Sequence, residues 1–186
     1  MNHQYVMWSS VVTSNSVISP LRPQVAWALN DPWVVEWSPT SPDLLAVGLH
    51  CREGAAIIHT EAGRTGSDGI VKAPSGRIES DTLSQTFFPA AQSPVIVNGS
   101  RNGSWWLWDT RAPRRASEDF PRKQPFPQGA VVCLRMLHDE RKLVLQRSNG
   151  ELAVIDARQS ARSPLLSITS ARSHVFKSML RFDVVR

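Results

Sequence analysis

Residues Val95–Arg111, VIVNGSRNGSWWLWDTR, carry the pattern that decides the fold. An apolar run leads into the dipeptide Asn102-Gly103, which suits a tight hairpin turn because both residues tolerate a positive φ. A second apolar run, Trp105–Trp108, follows and ends at Asp109. This order of strand, turn and strand predicts a β-hairpin.

The same layout occurs twice more along the chain. Residues Leu143–Arg158 read LVLQRSNGELAVIDAR, and Leu44–Thr60 read LLAVGLHCREGAAIIHT as a weaker copy. The turn glycines Gly54, Gly103 and Gly150 are 49 and 47 residues apart. A period of about 40–50 residues with several strands per unit is typical of a β-propeller blade. The sequence therefore predicts an all-β propeller.

The length limits how much of a propeller this chain can form. Further strands are predicted upstream of the hairpins at Trp33–Trp37, Ser84–Phe88 and Val131–Arg135. Propellers have about 4–8 blades, but 186 residues hold only about three. We therefore expect a partial propeller with an N-terminal extension at 1–26 that could hold a strand. The propeller region is 27–186, with blades at about 33–81, 82–129 and 130–170 and the start of a fourth at 173–186.

Composition excludes several classes of protein. No apolar run approaches the ~18 residues of a membrane span, and two cysteines cannot make a disulfide framework. An apolar content of 41% argues against disorder. The net charge of +5 comes mainly from Arg, but the sequence has no block of five like charges. Nucleic-acid binding is therefore kept only as an alternative. The N-terminus lacks a secretory signal, so we expect an intracellular protein of the nucleus, the cytoplasm or both.

Trp108-Asp109 is the dipeptide that names the WD-repeat family, and it is part of the string Trp108-Asp109-Thr110-Arg111. A near copy, Ile155–Arg158, ends the next repeat. Two consecutive Asp-x-Arg endings resemble the docking motif of WD-repeat substrate receptors of cullin-4 RING ubiquitin ligases. In that family the Arg contacts the damaged-DNA-binding adaptor protein, which bridges the receptor to the cullin.

The wider sequence is similar to the cullin-4-associated factor 4 subfamily over roughly Trp27–Arg158. The first repeat departs from the motif, with His59 where the others have Asp, and the third has Ile155 in place of Trp. The residues that carry the similarity are Pro94, Asn98, Gly99, Arg101, Gly103, Asp109, Arg111, Val131, Leu134, Arg135, Leu137, Asp139, Glu140, Arg141 and Leu143.

The resemblance implies an adaptor-docking site at one rim of the propeller. Trp and Asp at these positions also have structural roles, the Trp between blades and the Asp as a hydrogen-bond acceptor. Each Arg offers a planar fork of donors to a partner, or else caps its own blade. The candidate docking residues are Trp108, Asp109, Arg111, Asp156 and Arg158.

The turns between the second and third strands of each repeat lie on the opposite face. Loops on a rigid scaffold are where binding function concentrates, and three Arg among them suggest an acidic partner; ordinary solvated turns are the alternative. The candidate residues for this face are Arg52, Glu53, Arg101, Asn102, Arg147 and Asn149.

No enzyme, metal or cofactor motif is found. The five His are scattered, and His50-Cys51 has no second ligand pair at zinc spacing. Nucleophile-elbow, P-loop and dinucleotide-binding patterns are lacking. We therefore expect a WD-repeat interaction module that has no catalytic activity, uses no cofactor and binds no membrane. Its expected partners are the adaptor, the cullin-4 ligase and an unknown client protein. A generic WD-repeat scaffold in another complex and a basic nucleic-acid-binding protein are the alternatives.

Overall fold

The computed structural model describes residues 3–7, 25–29, 31–50, 53–60, 69–73, 80–88, 94–111, 129–137, 139, 141–157 and 164–169. Arg52 and Arg158 of the expected sites lie outside these ranges, and so does 173–186, the expected start of a fourth blade. Every regular element among the described residues is a β-strand, which confirms the all-β prediction.

The strands are three to six residues long. Their bounds are β1 His3–Met7, β2 Val25–Leu29, β3 Val34–Trp37, β4 Leu44–Gly48, β5 Ala55–His59, β6 Ile70–Lys72, β7 Thr82–Phe87, β8 Val95–Ser100, β9 Trp105–Asp109, β10 Val131–Met136, β11 Lys142–Arg147, β12 Glu151–Asp156 and β13 Leu166–Thr169.

These strands form four antiparallel sheets, each in simple chain order. The first sheet is β3-β4-β5-β6, the second is β7-β8-β9 and the third is β10-β11-β12-β13. A separate pair, β1-β2, precedes them. Residues 63–81 are polar, with four Gly and little apolar content, and this composition predicts a loop. The prediction is wrong at Ile70–Lys72, which forms β6. Three residues are enough to form hydrogen bonds to a neighbouring strand. Because the sequence on either side is polar, so short a strand gives no recognisable apolar pattern.

The three larger sheets repeat one another in detail. Gly54, Gly103 and Gly150 all adopt a positive φ, of 67°, 87° and 87°, at the turn between the second and third strands. Asn102 does not share this conformation. Its side-chain Oδ1 instead accepts a hydrogen bond from Ser104 N at 3.0 Å, so the turn depends on one left-handed residue rather than two.

The sheets stack in chain order, with apolar side chains filling the space between neighbours. Trp108, Ile96 and Phe87 of the second sheet pack against a group from the first that includes Leu44 and Ile57. The third sheet packs on the second through a core of Val97, Trp105, Val131, Leu134, Leu143, Leu145, Ala153, Ile155 and Ala157.

Two glycines set how closely the sheets approach. A Cβ on Gly48 would lie 2.9 Å from Thr82 Cγ2, and a Cβ on Gly99 would lie 2.5 Å from Val131 Cγ1. Thr82 and Val131 are the first residues of the next sheets' first strands, β7 and β10. Each glycine therefore leaves the space into which the following sheet packs.

Strand β7 lies between the first and third sheets and is buried along its whole length, although four of its six residues are polar. Ser84 Oγ donates to the Val131 carbonyl at 2.9 Å, joining the second sheet to the third. Gln85 Nε2 donates to Asn98 Oδ1 at 2.8 Å within the sheet. Buried polar groups with such partners tie adjacent sheets in one arrangement.

Candidate functional site

We call the end of the three sheets where β5, β9 and β12 finish the docking rim, because the sequence predicts the docking residues there. In each sheet the residue after the third strand donates its N–H to the carbonyl before the second strand. The pairs are Thr60 with Asp43 (2.8 Å), Thr110 with Pro94 (3.2 Å) and Ala157 with Arg141 (2.8 Å). The rim positions of the three repeats are thus equivalent in structure as well as in sequence.

Asp109 and Arg111 form a closed pair at this rim. Arg111 donates from Nε to Asp109 Oδ1 at 3.0 Å and from Nη2 to Oδ2 at 2.7 Å, and its backbone N–H also donates to Oδ1 at 3.0 Å. The side-chain hydrogen bond from Arg111 lowers the pKa of Asp109 and the same bond raises the pKa of Arg111, so both are charged at neutral pH. The guanidinium is held in one orientation while 57% of the Arg111 side chain remains exposed.

The second copy of the motif is described in part. Asp156 ends β12 opposite Lys142, just as Asp109 ends β9 opposite Val95. It is half-buried. Arg158 lies outside the described residues, so the geometry of its side chain stays a prediction.

Trp108 occupies the core rather than the surface. Its side chain is buried among Phe87, Ile96 and residues of the first sheet. Ile155 takes the matching place between the second and third sheets. Trp108 can therefore contribute to docking only by fixing the position of Asp109 and Arg111.

The opposite end, which we call the partner face, is built around Arg101. Its guanidinium lies over the exposed Trp33 ring, 4.8 Å from the centroid, and its Nε donates to Asp81 Oδ2 at 2.7 Å. His50 Nε2 lies 3.5 Å from the other Asp81 oxygen. Trp33 precedes β3 and Asp81 precedes β7, so this group spans the junction between the first and second sheets.

Arg147 departs from the sequence-based expectation. It is only 5% exposed, so it is not available on the partner face. Its Nη1 donates to the Gly103 carbonyl at 2.7 Å, which links the third sheet to a turn of the second. Its Nε lies 3.1 Å from Glu151 Oε2, close enough for an ion pair but not aligned for a hydrogen bond. Burial lowers the pKa of Arg147, and Glu151 partly offsets this effect.

The remaining predicted residues of the partner face form local pairs. Glu53 Oε2 lies 3.3 Å from Lys72 Nζ. Asn102 N donates to Ser80 Oγ at 3.0 Å, and Asn149 Oδ1 accepts from Glu151 N at 3.0 Å. The acidic-partner hypothesis loses support here, because Arg101 is paired with Asp81 and Arg147 is buried.

Sequence reasoning missed Trp33 and Asp81 as residues of this face. Trp33 was assigned to a strand, but β3 begins one residue later. The available signal was position: a residue directly before the first strand of a blade lies at the same end as the turns between the second and third strands.

Within the described ranges, no group of three or more His, Cys, Asp or Glu could hold a metal ion. Over the same residues, no helix has the length and apolar character to cross a membrane.

No protein-family model and no curated protein sequence matches the chain. Its structure is similar to the WD40 domain of coronin from Toxoplasma gondii, with a TM-score of 0.61 and 17% identity over 81% of this chain. The fold is that of a WD40 β-propeller. Raptor from Chaetomium thermophilum is similar over 73% of this chain, with a TM-score of 0.54 and 20% identity.

The chain forms a partial WD40 propeller in which the three larger sheets are blades. It spans 38% of the coronin chain and 12% of the Raptor chain. At these identities the likeness concerns the fold alone, because one fold serves many unrelated functions. Function must be argued from the docking rim and the partner face.

Proposed function

We propose that this WD40 arc is a protein-interaction module without catalysis of its own, acting as a substrate receptor of a cullin-4 RING ubiquitin ligase. In this proposal the docking rim binds the damaged-DNA-binding adaptor protein and the partner face holds a client protein. The ligase acts in the nucleus, the cytoplasm or both, and no membrane is involved. The observation that carries the proposal is the Asp109–Arg111 pair.

The geometry of this pair suits docking. Two of the five guanidinium N–H groups of Arg111 donate to Asp109, which leaves the others to meet carbonyl or carboxylate oxygens of a partner. A side chain that is already held in place loses less conformational freedom on binding. Arg is also enriched among the residues that dominate interface energies.

The proposal extends to Asp156 and Arg158 by the repeat. Because Thr110 and Ala157 make equivalent backbone hydrogen bonds, we expect Arg158 to follow the third blade as Arg111 follows the second. The first blade has His59 at the Asp position, so the proposed docking site uses the second and third blades.

Removal of both arginines tests the docking site. The double variant Arg111→Ala/Arg158→Ala, expressed as the full chain in cells, should lose most of the adaptor that co-purifies with the wild type. Arg101→Ala is the matched control, since it removes an exposed arginine from the opposite end and should retain the adaptor. Thermal unfolding of the purified variants should match the wild type, because Arg111 is exposed.

Two results would contradict the docking proposal. One is undiminished adaptor co-purification with the double variant. The other is an equal loss with Arg101→Ala, which would show that the docking rim is not specific.

A second candidate, a WD-repeat scaffold in another complex, is favoured by the Trp33–Arg101 pair. Trp and Arg are the residue types most often found at interface hot spots, and here they are stacked and fixed by Asp81. The scaffold hypothesis predicts that Trp33→Ala removes the main co-purifying proteins and that Arg111→Ala/Arg158→Ala removes none. This result would support the scaffold hypothesis and contradict the ligase hypothesis.

A further inference from the structure

The third blade has an apolar side that faces away from the second blade. Leu143, Leu145 and Ile155 belong to the core shared with the second blade. Their alternating neighbours therefore point the other way, and strand register places them side by side. We call this side the open face; its residues are Val144, Leu152, Val154, Leu166 and Ile168. Val144 is buried, Leu152 and Val154 are half-buried, and Leu166 and Ile168 are exposed.

The open face differs from the corresponding sides of the first two blades. There, Gly48 and Gly99 leave space for Thr82 and Val131 of the following blade. The equivalent position in the third blade is Gln146. It pairs with Cys133 and Leu152. Gly99 pairs in the same way with Ser84 and Trp105. A Gln side chain fills the place where another blade would approach at the same spacing.

The outermost strand of this blade, β13, also differs from its counterpart β6. Leu166 and Ile168 are 53% and 54% exposed, and all four residues of β13 are uncharged. The register of β13 with β12 is unbroken. In contrast β6 ends in Lys72, which is paired with Glu53. Charges, prolines and bulges are the features that keep edge strands from pairing with other chains, and β13 has none of them.

We propose that β13 pairs with β13 of a second copy of this chain, antiparallel and about a two-fold axis at Ser167. Residues directly opposite in an antiparallel pair point to the same side. With the axis at Ser167, Leu166 lies opposite Ile168 of the partner subunit, so the aliphatic side chains of both open faces adjoin. A shift by one residue would turn the partner strand over, so that its open face would no longer adjoin the open face of the first copy.

The pattern of β13 matches itself under this rotation, which is what a two-fold interface requires. Neither β13 strand contributes a charged residue to the junction. The Glu151 carboxylate beside the axis accepts from Ser167 Oγ at 2.9 Å, and its charge is offset by the ion pair with Arg147. Two four-residue strands bury well below the ~1,200 Å² typical of stable complexes. The dimer is therefore reversible, and its population rises with protein concentration.

Sedimentation velocity over a range of concentrations tests the proposal on the full chain. The wild type should shift from monomer to dimer as concentration rises, and Ile168→Lys should remain monomeric because the two-fold axis brings the new charges close together. Val71→Lys is the matched control: Val71 lies on β6 and is 45% exposed, so the variant should dimerise like the wild type. Equal association of the wild type and Ile168→Lys would overturn the proposal.

A cysteine at the axis tests the register. In a Cys51→Ser background, Ser167→Cys should form a disulfide-linked dimer under mild oxidation, because each residue 167 faces its own copy within the 4.4–6.8 Å Cα distance of disulfides. Thr169→Cys faces Leu165 of the partner subunit and should remain monomeric. Cys133 is buried and does not interfere. Equal crosslinking at both positions would overturn the two-fold register.

Removal of residues 170–186 distinguishes the remaining occupants. A wild type that is monomeric at all concentrations, with a truncated chain that dimerises, would show that the chain's own C-terminal segment covers β13. A monomeric wild type whose Ile168→Lys variant loses a co-purifying protein would show that a different partner binds there. Either result would overturn self-pairing.

Discussion

Arg147 joins the third blade to the second, and its replacement measures how strongly. Arg147→Met keeps an apolar stem in the buried space but removes the guanidinium. The variant loses the 2.7 Å hydrogen bond from Nη1 to the Gly103 carbonyl and the ion pair with Glu151. Gly103 is itself buried, although its turn is not, and its carbonyl then lacks this donor.

The expected cost follows from the kinds of contact removed. A hydrogen bond from a charged donor contributes about 1.5–3 kcal/mol to the stability of a protein. Most of this contribution is lost when the buried acceptor is left without its donor. Glu151 keeps one partner, since its Oε1 accepts from Ser167 Oγ at 2.9 Å. Relief from burying the guanidinium, which lowers the pKa of Arg147, offsets part of the loss. We expect the free energy of unfolding to fall by about 1–3 kcal/mol.

Urea unfolding followed by tryptophan fluorescence measures this difference. Arg111→Ala is the control, because Arg111 is an exposed arginine with a carboxylate partner, and the midpoint of this variant should match that of the wild type. The double variant Arg147→Met/Glu151→Gln should recover part of the lost stability, since it removes the carboxylate that has lost its ion pair.

Equal midpoints for Arg147→Met and the wild type would refute the reasoning. So would a loss in Arg111→Ala as large as that in Arg147→Met, because the two arginines would then not differ by burial. A changed slope of unfolding with urea would point to altered compactness instead.

Three further outcomes are expected from single changes. Trp108→Ala should cost about 3–5 kcal/mol in urea unfolding, since it empties a buried site between two blades. Gly99→Ala should lower the thermal midpoint because the added methyl meets Val131, whereas a fully tolerated alanine would contradict that close packing. Hydrogen bonding from Lys142 lowers the pKa of Asp139 to about 2, so its contribution to stability is present above the ordinary 3.8 and lost as pH falls towards 2. Carboxyl NMR should show this titration, and Lys142→Ala should move it back towards 3.8.

Local signals were enough to find the repeat. The Asn-Gly and Glu-Gly turns, the alternating strands and the spacing of Gly54, Gly103 and Gly150 are short-range features, and turn geometry decides hairpin register. The all-β class and the partial propeller followed from them. Strand β6 escaped because three residues in a polar stretch carry too little periodicity to stand out.

Exposure could not be predicted in the same way. Arg101 and Arg147 occupy nearly the same place beside their turns in sequence, yet Arg101 lies on the partner face and Arg147 is buried beneath a neighbouring turn. The difference depends on which blade lies alongside, and that contact joins residues 44 positions apart. The charge of the partner face was overestimated for this reason.

The hairpins, their period and the place of Asp109 and Arg111 near the end of a strand are predictable from sequence, because neighbouring residues set turns and strand alternation. Three properties require the folded arrangement: Asp109 holds Arg111 at an exposed rim, Arg147 joins two blades, and β13 lies at an edge. These properties depend on which surfaces the stacked blades bury, and stacking is governed by contacts such as those of Gly48 and Gly99 with strands of the next blade.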